Sequence, residues 1–474
     1  MDDPLFLLNY IERGYILIQK NLNDIAKMVS GKVWLPDSQT IIINGVSIDS
    51  KTTQQGNLFI PIIRNDDGHK YILHAIGNGA VASLWQSNHP NPPPKIPLII
   101  VEDTFIALQA LAKAYRTELN AIIIGITGSN GKTTTKDMMS SILSTTFKVH
   151  KTKGNLNGQY GLPLTLLETS QDAEVVVLEM GISYPGEMER LAGIAGPDVV
   201  VLTMIGESHI SNFGSRENIA QAKLQITNGL PENSVLVFNG DEELLEEGVK
   251  KLHFHESVKF IRFGTANQND YFADSISVLS DRTTFVLNDH PYSFPLLGAH
   301  HVNNALASIA VAQHLGVTSD NITKGLKELE ITGMRMEKSK AKSGFTIIND
   351  AWNASPTSMR SAIETFQKLS EYNQKIVVLG DMLELGENET RFHQEIGRLL
   401  DPRCVDYVFT VGKLAEFIAL EASGVFPKGH VTAFRQKEEI AKAIELIIQP
   451  NSIVLVKGSR GLKLEEVVEQ LLML

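Results

Sequence analysis

Ten consecutive residues, Gly125-Ile126-Thr127-Gly128-Ser129-Asn130-Gly131-Lys132-Thr133-Thr134, combine the groups that phosphate binding needs. Glycines let a loop turn its N–H groups inward onto an anion, and a helix that starts directly afterwards adds the positive end of its dipole. In that arrangement Gly128, Ser129, Asn130, Gly131, Thr133 and Thr134 cradle the phosphates of a nucleotide. Lys132 reaches the outer phosphates, and the Thr133 hydroxyl helps to hold Mg²⁺. The loop is a variant, because Ile126 stands where the common G-x-x-x-x-G-K-[ST] pattern has its first glycine. Glycines alone would fit any tight turn between strand and helix; Gly-Lys-Thr-Thr after a buried apolar run points to a nucleotide.

Two further groups converge on the same rim. The apolar run Val175 to Leu178 delivers Glu179-Met180-Gly181, and Val199 to Leu202 runs on to Gly206-Glu207-Ser208-His209. Mg²⁺ is a hard cation that takes oxygen ligands beside substrate phosphates, so Glu179 is a natural ligand. Taken singly, Glu179 reads equally as an exposed loop carboxylate and His209 as a hydrogen-bonded histidine. Two consecutive strand ends beside a phosphate loop favour function.

The elements that must hold these groups can be read from apolar periodicity. Ala121 to Ile126 reads as a buried strand before the loop, and Lys136 to Leu143 as the helix after it. With Val175 to Leu178, Val199 to Leu202 and Val235 to Phe238 alternating with helical stretches, the middle of the chain predicts a parallel sheet with crossover helices. Its ligands then sit at the carboxyl ends of the strands. Runs at Lys375 to Leu379, Tyr407 to Val411 and Ile453 to Val456, with amphipathic helices over Glu438 to Ile448 and Leu464 to Leu472, repeat the alternation as a doubly wound domain. Before Thr104 to Leu119, which reads as a helix, the short β-like runs Thr40 to Val46, Leu58 to Ile63 and Ile96 to Val101 describe a small α/β domain. The proline-rich stretch Asn88 to Lys95 reads as a loop that ends its compact part. The expected fold class is therefore α/β in three domains: a small N-terminal one (1–102), a central P-loop-type parallel sheet (103–332) and a C-terminal Rossmann-like one (333–474).

Bulk properties agree. A chain of 474 residues and 52.2 kDa exceeds what one core usually fills. The net charge of −11 argues against a nucleic-acid backbone as the main partner, since that needs clustered Lys and Arg. A phosphate pocket can still be locally positive. Cys404 is the single cysteine, which excludes an internal disulfide and suits a reducing compartment; it reads as a small buried hydrophobe. Asp2 and Asp3 stand where a signal peptide needs positive charge, Glu12 and Arg13 interrupt the apolar stretch after them, and no run approaches a membrane span. A cytoplasmic protein is expected.

A set of motifs in fixed order resembles the Mur ligases: Thr127 to Thr134, Glu179-Met180-Gly181, Gly298-Ala299-His300-His301-Val302-Asn303-Asn304-Ala305, Gly333-Met334-Arg335-Met336-Glu337, Asn349-Asp350-Ala351-Trp352-Asn353-Ala354-Ser355-Pro356, Leu379 to Gly386, and Lys457-Gly458-Ser459-Arg460-Gly461. In the N-terminal part Gly45 to Lys51, Gly56 to Phe59 and Asp67-Gly68-His69 are similar to the segment that holds a uridine diphosphate, which implies Ser47, Asp49 and Ser50 as substrate-binding. Roughly the first 20 residues lie outside the match.

The resemblance implies an ATP- and Mg²⁺-dependent amide ligase of cell-wall synthesis, with ATP between the central and C-terminal domains. Its Gly-Asp-Met-Leu-Glu-Leu-Gly motif implies the branch that joins D-alanyl-D-alanine to a UDP-muramoyl tripeptide. The tripeptide carboxylate takes the γ-phosphoryl group, and the amine of the dipeptide then displaces phosphate from the acyl phosphate. By the same resemblance Lys132, Glu179, His209 and Lys223 are catalytic. Thr133, Glu179 and His209 hold metal, and Lys223 joins them as a carbamate. Asn304 contacts adenine, Arg335 the phosphates and Asp350 the ribose, while Asn353, Lys457, Ser459 and Arg460 meet substrate as the domains close. Partners would be small molecules alone, without nucleic acid or a membrane span, and a monomer is expected. Three departures stand out: His301 for Asn, Trp352 for Tyr, and Asn155 to Tyr160 for Asn-x-Asn-Asn-x-Ile, the last bordering the substrate channel. Rival readings are a sister ligase with another substrate, a non-catalytic paralogue, and an NTPase that hydrolyses ATP without any amino-acid substrate.

Overall fold

A computed structural model describes residues 18–34, 41–94 and 96–474. The expectations at Asp2, Asp3, Glu12, Arg13, Thr40 and Lys95 lie outside the described residues.

The central sheet has seven parallel strands, in the order Tyr271–Phe272, Lys259–Gly264, Val235–Asn239, Val199–Leu202, Ile122–Thr127, Val175–Glu179, Val149–Lys151. Its adjacent strands Val199–Leu202, Ile122–Thr127 and Val175–Glu179 are Val- and Ile-rich and buried on both faces, as a parallel sheet flanked by helices requires. The register pairs Ile126 with both Glu179 and Val201, so the residue at the variant position of the phosphate loop is a buried strand residue. The loop consequently opens only at Gly128, where φ is +154°.

A three-stranded antiparallel sheet, Ser275–Val278, Thr283–Leu287 and His290–Phe294, departs from the expected alternation. Its Phe285, Leu287, Tyr292 and Phe294 join the core beneath the helix His300–His314. The C-terminal sheet has six strands, ordered Glu337–Lys340, Thr346–Asp350, Ser452–Lys457, Gln374–Gly380, Tyr407–Val411, Val431–Phe434; all pairs are parallel except the first.

The N-terminal region carries a five-stranded sheet, ordered Lys32–Trp34, Leu98–Val101, Ala82–Gln86, Leu58–Phe59, Val46–Ser47. Here the expected strand from Thr40 to Val46 is divided. Gly45 takes φ +80°, so Ile42–Asn44 pairs antiparallel with Gln19–Asn21 while Val46–Ser47 joins the larger sheet. The expected helix over Glu438 to Ile448 also shrinks, to a 3₁₀ turn at Lys437–Glu439 followed by Ile440–Glu445. Pro450 disfavours helix just before it, and Leu446 faces solvent with nothing to pack against. No helix among the described residues is long and apolar enough to cross a membrane.

Candidate functional site

Carboxyl ends of the central strands and loops of the C-terminal sheet enclose one cleft of about 880 Å³. Its wall includes Ser129 to Thr134, Glu179, His209, Lys223, Asn304, Arg335, Asp350, Asn353, Lys457, Ser459 and Arg460, so residues more than 300 positions apart in sequence meet there. Asn155, Asn157 and Tyr160, from the segment expected to border the substrate channel, line the same cleft.

The phosphate loop is held from below. Ser129 N–H donates to the Met204 carbonyl at 2.8 Å and the Thr203 hydroxyl to the Asn130 carbonyl at 2.6 Å. Close approach explains both loop glycines. A Cβ on Gly128 would lie 1.8 Å from Thr203 Oγ1, and one on Gly131 would lie 2.5 Å from Asn304 Oδ1. Gly131 also has φ +84° and caps the helix Lys132–Leu143, whose first N–H groups therefore open onto the cleft. Lys132 folds back, donating to the Gly128 carbonyl at 2.8 Å. Burial lowers its pKa, and the Glu179 carboxylate works against that shift.

Glu179 is 2% exposed. Asn157 Nδ2 donates to its Oε1 at 2.7 Å and its backbone N–H bonds Thr152 Oγ1, but Oε2 is buried without a partner. Lys223, 4% exposed on the helix Arg216–Leu224, pairs with no carboxylate among the described residues. Burial first, and repulsion from Lys132 second, drive its pKa well below the usual lysine value. A buried orphan carboxylate oxygen and, on the same wall, the amine of a buried lysine that pairs with no carboxylate are costly in an empty protein. Both costs are relieved by a bound cation beside the carboxylate and by a chemically modified or neutral amine. The donor set of Thr133, Glu179 and His209, mixed oxygen and imidazole at a phosphate loop, thus fits a divalent cation bound with a nucleotide.

His209 sits in the left-handed region at φ +61° and its Nδ1 faces the Glu384 carboxylate of the C-terminal domain. Burial lowers its pKa, opposed by Glu384. The same interface carries Thr357 Oγ1 donating to Glu207 at 2.7 Å, Ser355 Oγ donating to Asn130 Oδ1 at 3.2 Å, and Ser211 N–H donating to the Glu384 carbonyl. Asp381, from the same motif as Glu384, turns away from the cleft. Its carboxylate accepts the N–H groups of Leu414 and Ala415 and packs where a Cβ on Gly412 would be, so this part of the Leu379 to Gly386 motif shapes a turn.

Several of the expected residues have partners that the sequence did not indicate. Asn304 faces the underside of the phosphate loop, accepting from Thr135 Oγ1 at 3.3 Å and donating towards His301 Nδ1 at 3.3 Å, so its amide braces the loop. His301, which replaces the expected Asn, is buried beside it with its pKa driven well down by burial. Lys457, expected to meet substrate, is 3% exposed and bonds Asp350 Oδ2 at 2.6 Å and the Asn353 carbonyl at 3.0 Å. Arg335 and Arg460 lie 6.0 and 5.0 Å from the Trp352 ring, so the residue replacing Tyr presents its face to two guanidinium groups.

Ser47, Asp49 and Ser50 do not line the cleft. Ser47 Oγ donates to the Asp49 carbonyl, and Ser50 Oγ bonds His74 Nδ1 at 3.0 Å. Nearby, Asp67 accepts from His69 Nδ1 at 2.8 Å and from His89 Nε2 at 2.9 Å. His69 Nε2 in turn takes the Gln86 N–H, which fixes its proton on Nδ1 and makes the trio a structural clasp.

One feature has no sequence signal that distinguishes it from an ordinary helix face. Lys136 and Asp137 are wholly buried, and Asp137 accepts from Lys151 at 2.8 Å and from the Thr332 N–H at 2.9 Å. The phosphate-loop helix is thereby tied to the segment that leads into the C-terminal domain.

Comparison with known proteins places this architecture. The Mur ligase middle domain matches residues 126–312 and the Mur ligase glutamate ligase domain residues 334–460. The chain is 44% identical over 459 residues to the UDP-N-acetylmuramoyl-tripeptide–D-alanyl-D-alanine ligase of Bacillus subtilis, covering 96% of this chain and 99% of the relative. With the Escherichia coli ligase of the same name it shares 31% over 463 residues, covering 96% and 99%. Among solved structures, MurF from Acinetobacter baumannii superposes with a TM-score of 0.86 at 28% identity, covering 96% and 99%. MurF from Thermotoga maritima, solved in complex with ADP, superposes at 0.78 and 29%, covering 90% and 96%.

Proposed function

Since the chain belongs to the Mur ligase family, we propose that it joins D-alanyl-D-alanine to a UDP-N-acetylmuramoyl tripeptide in an ATP-dependent reaction of peptidoglycan precursor synthesis. The observation that carries this reading is the single cleft in which the phosphate loop, Glu179, His209 and Lys223 face Arg335, Asp350 and Arg460 from the C-terminal domain. ATP supplies the phosphoryl group that activates the tripeptide carboxylate, and Mg²⁺ neutralises the phosphate oxygens.

Every other element of the reaction falls to residues of the chain. The N–H groups of Gly128 to Thr134 and the dipole of the helix Lys132–Leu143 bind anionic oxygens, and Lys132, released from the Gly128 carbonyl, swings onto the outer phosphates. Thr133, Glu179 and His209 would hold Mg²⁺. Lys223, whose pKa burial lowers, is suited to carbamylation, which would turn it into an oxygen donor. Asp350 would orient the ribose and Arg335 the phosphates. Asn353, Ser459 and Arg460 would receive the peptide substrates, and Ser47, Asp49 and Ser50 the uridine diphosphate end. Positioning and charge stabilisation suffice for two successive displacements at a phosphoryl and an acyl centre, so no covalent enzyme nucleophile is needed.

Three domains bounded near residues 102 and 332 suit this division of labour, supported by the observation that among the described residues no sheet crosses either boundary. A monomer working in the cytoplasm completes the reading. The test is phosphate release from Mg-ATP with UDP-muramoyl tripeptide, with and without D-Ala-D-Ala, following the pentapeptide by mass. Release and pentapeptide that both require the dipeptide are expected; hydrolysis indifferent to the dipeptide would overturn the reading.

A further inference from the structure

The strands Thr346–Asp350 and Ser452–Lys457 run parallel in a register that sets Lys457 beside Asp350 at the end of the sheet. Asp350 is gripped from two sides. Its Oδ2 accepts from Lys457 Nζ at 2.6 Å and its Oδ1 from the Met336 N–H at 3.1 Å, Met336 belonging to the segment between the domains. Each carboxylate oxygen can accept two hydrogen bonds, so the grip fixes the plane of the group and leaves one acceptor position on each oxygen for a ligand. Lys457 itself is nearly used up: it is 3% exposed, and two of its three N–H donors go to Asp350 and to the Asn353 carbonyl.

That second bond reaches further. Asn353 lies two residues before Ser355, whose hydroxyl donates to Asn130 Oδ1 on the phosphate loop at 3.2 Å. A single ammonium group therefore clamps the carboxylate at one end of the nucleotide cleft and the chain segment that touches the phosphate loop at the other.

We propose that Lys457 is a positioning residue for the nucleotide, holding Asp350 in the orientation that receives the ribose hydroxyls, and is not a contact to either peptide substrate. This rests on the reading of Asp350 as the ribose-binding group. Without Lys457 the carboxylate would be free to rotate, and selectivity for the ribose hydroxyls would be the property lost. A purely structural lysine would instead weaken all ligands alike.

The experiment is calorimetric titration of the full-length protein with ADP, 2′-deoxy-ADP and 3′-deoxy-ADP, which reads nucleotide recognition without turnover. Wild type should prefer ADP over at least one deoxy analogue by roughly tenfold or more, the range expected for a hydrogen bond to a charged group. K457M should lose most of that preference, D350N should lose it equally, and K457R should restore part of it. Affinity for the UDP-muramoyl tripeptide should stay within about twofold of wild type. If K457M is too unstable to titrate, K457Q, which keeps a donor towards Asn353, decides in the same way. Unchanged ribose preference in the variant, a wild type that ignores the ribose hydroxyls, or a selective loss of peptide affinity would each overturn the proposal. Absence of tripeptide-dependent turnover in wild type would instead count against the ligase reading, which the titrations with ADP and its deoxy analogues do not use.

Discussion

Replacing Glu179 with Gln separates function from stability more cleanly than any other change in the cleft. The side chain is 2% exposed, keeps its length, and can keep the 2.7 Å bond from Asn157 through the amide oxygen. Removing the charge lessens the cost of the buried position without a partner, because the amide nitrogen that replaces the oxygen is neutral though still unpaired, and forfeits an attraction to Lys132 that opposes this gain. The ligand-free protein should therefore change in stability by no more than about 1 kcal/mol, measured by urea denaturation monitored in the cleft region. Turnover should respond quite differently. A preorganised group that stabilises charge on a transferring phosphoryl is worth about 10²–10³ in rate. We expect kcat to fall by at least about 10²-fold at saturating ATP, with weaker Mn²⁺ binding in a titration followed by electron paramagnetic resonance. A fall of less than about tenfold, or a large fall accompanied by some 3 kcal/mol of lost stability, would refute the argument and make Glu179 a structural group.

Gly131→Ala should weaken ADP binding by more than about tenfold and cost about 1–2 kcal/mol of stability, because a Cβ meets Asn304 at φ +84°; calorimetry and denaturation read the two effects. Thr357→Val removes a partly exposed hydrogen bond between the domains, worth about 1 kcal/mol, and should shift the population towards open forms, seen as a larger radius of gyration in solution scattering. His150 is held neutral by burial with its pKa lowered to about 4. Since its unfolded value is higher, near 6.5, stability is complete above that pH and declines as pH falls towards 4, by at most about 3 kcal/mol from this group. His150→Gln should flatten that part of the pH–stability curve, and an unchanged slope would contradict the assignment.

Local chemistry was legible before any fold was known. A buried Val- and Ile-rich run followed by Gly-Lys-Thr-Thr points to a strand delivering a phosphate loop, and the ends of the neighbouring strands placed Glu179 and His209 on its rim. Periodicity failed where a short break decides: Gly45 at φ +80° sends one apolar run into two sheets, and nothing in the alternation of Ser275 to Phe294 distinguished three antiparallel strands from more parallel ones. Motif order pointed to Lys457 and Asn304 as residues of the cleft, which both of them line, but not to their orientation. A lysine in a motif reads as a charge available to substrate until the register of two parallel strands seats it beside Asp350 and buries it. Asn304 likewise becomes a brace for the loop only because the helix that carries it packs against Gly131. Residue type and near-neighbour spacing determine what a side chain can do, and so they were enough for phosphate binding, while the reaction class came from the resemblance of the ordered motifs to the Mur ligases. Which of its donors remain free to do it depends on what the folded chain brings within hydrogen-bonding distance, and for Lys457, Lys136 and Asp381 that was settled by segments distant in the chain.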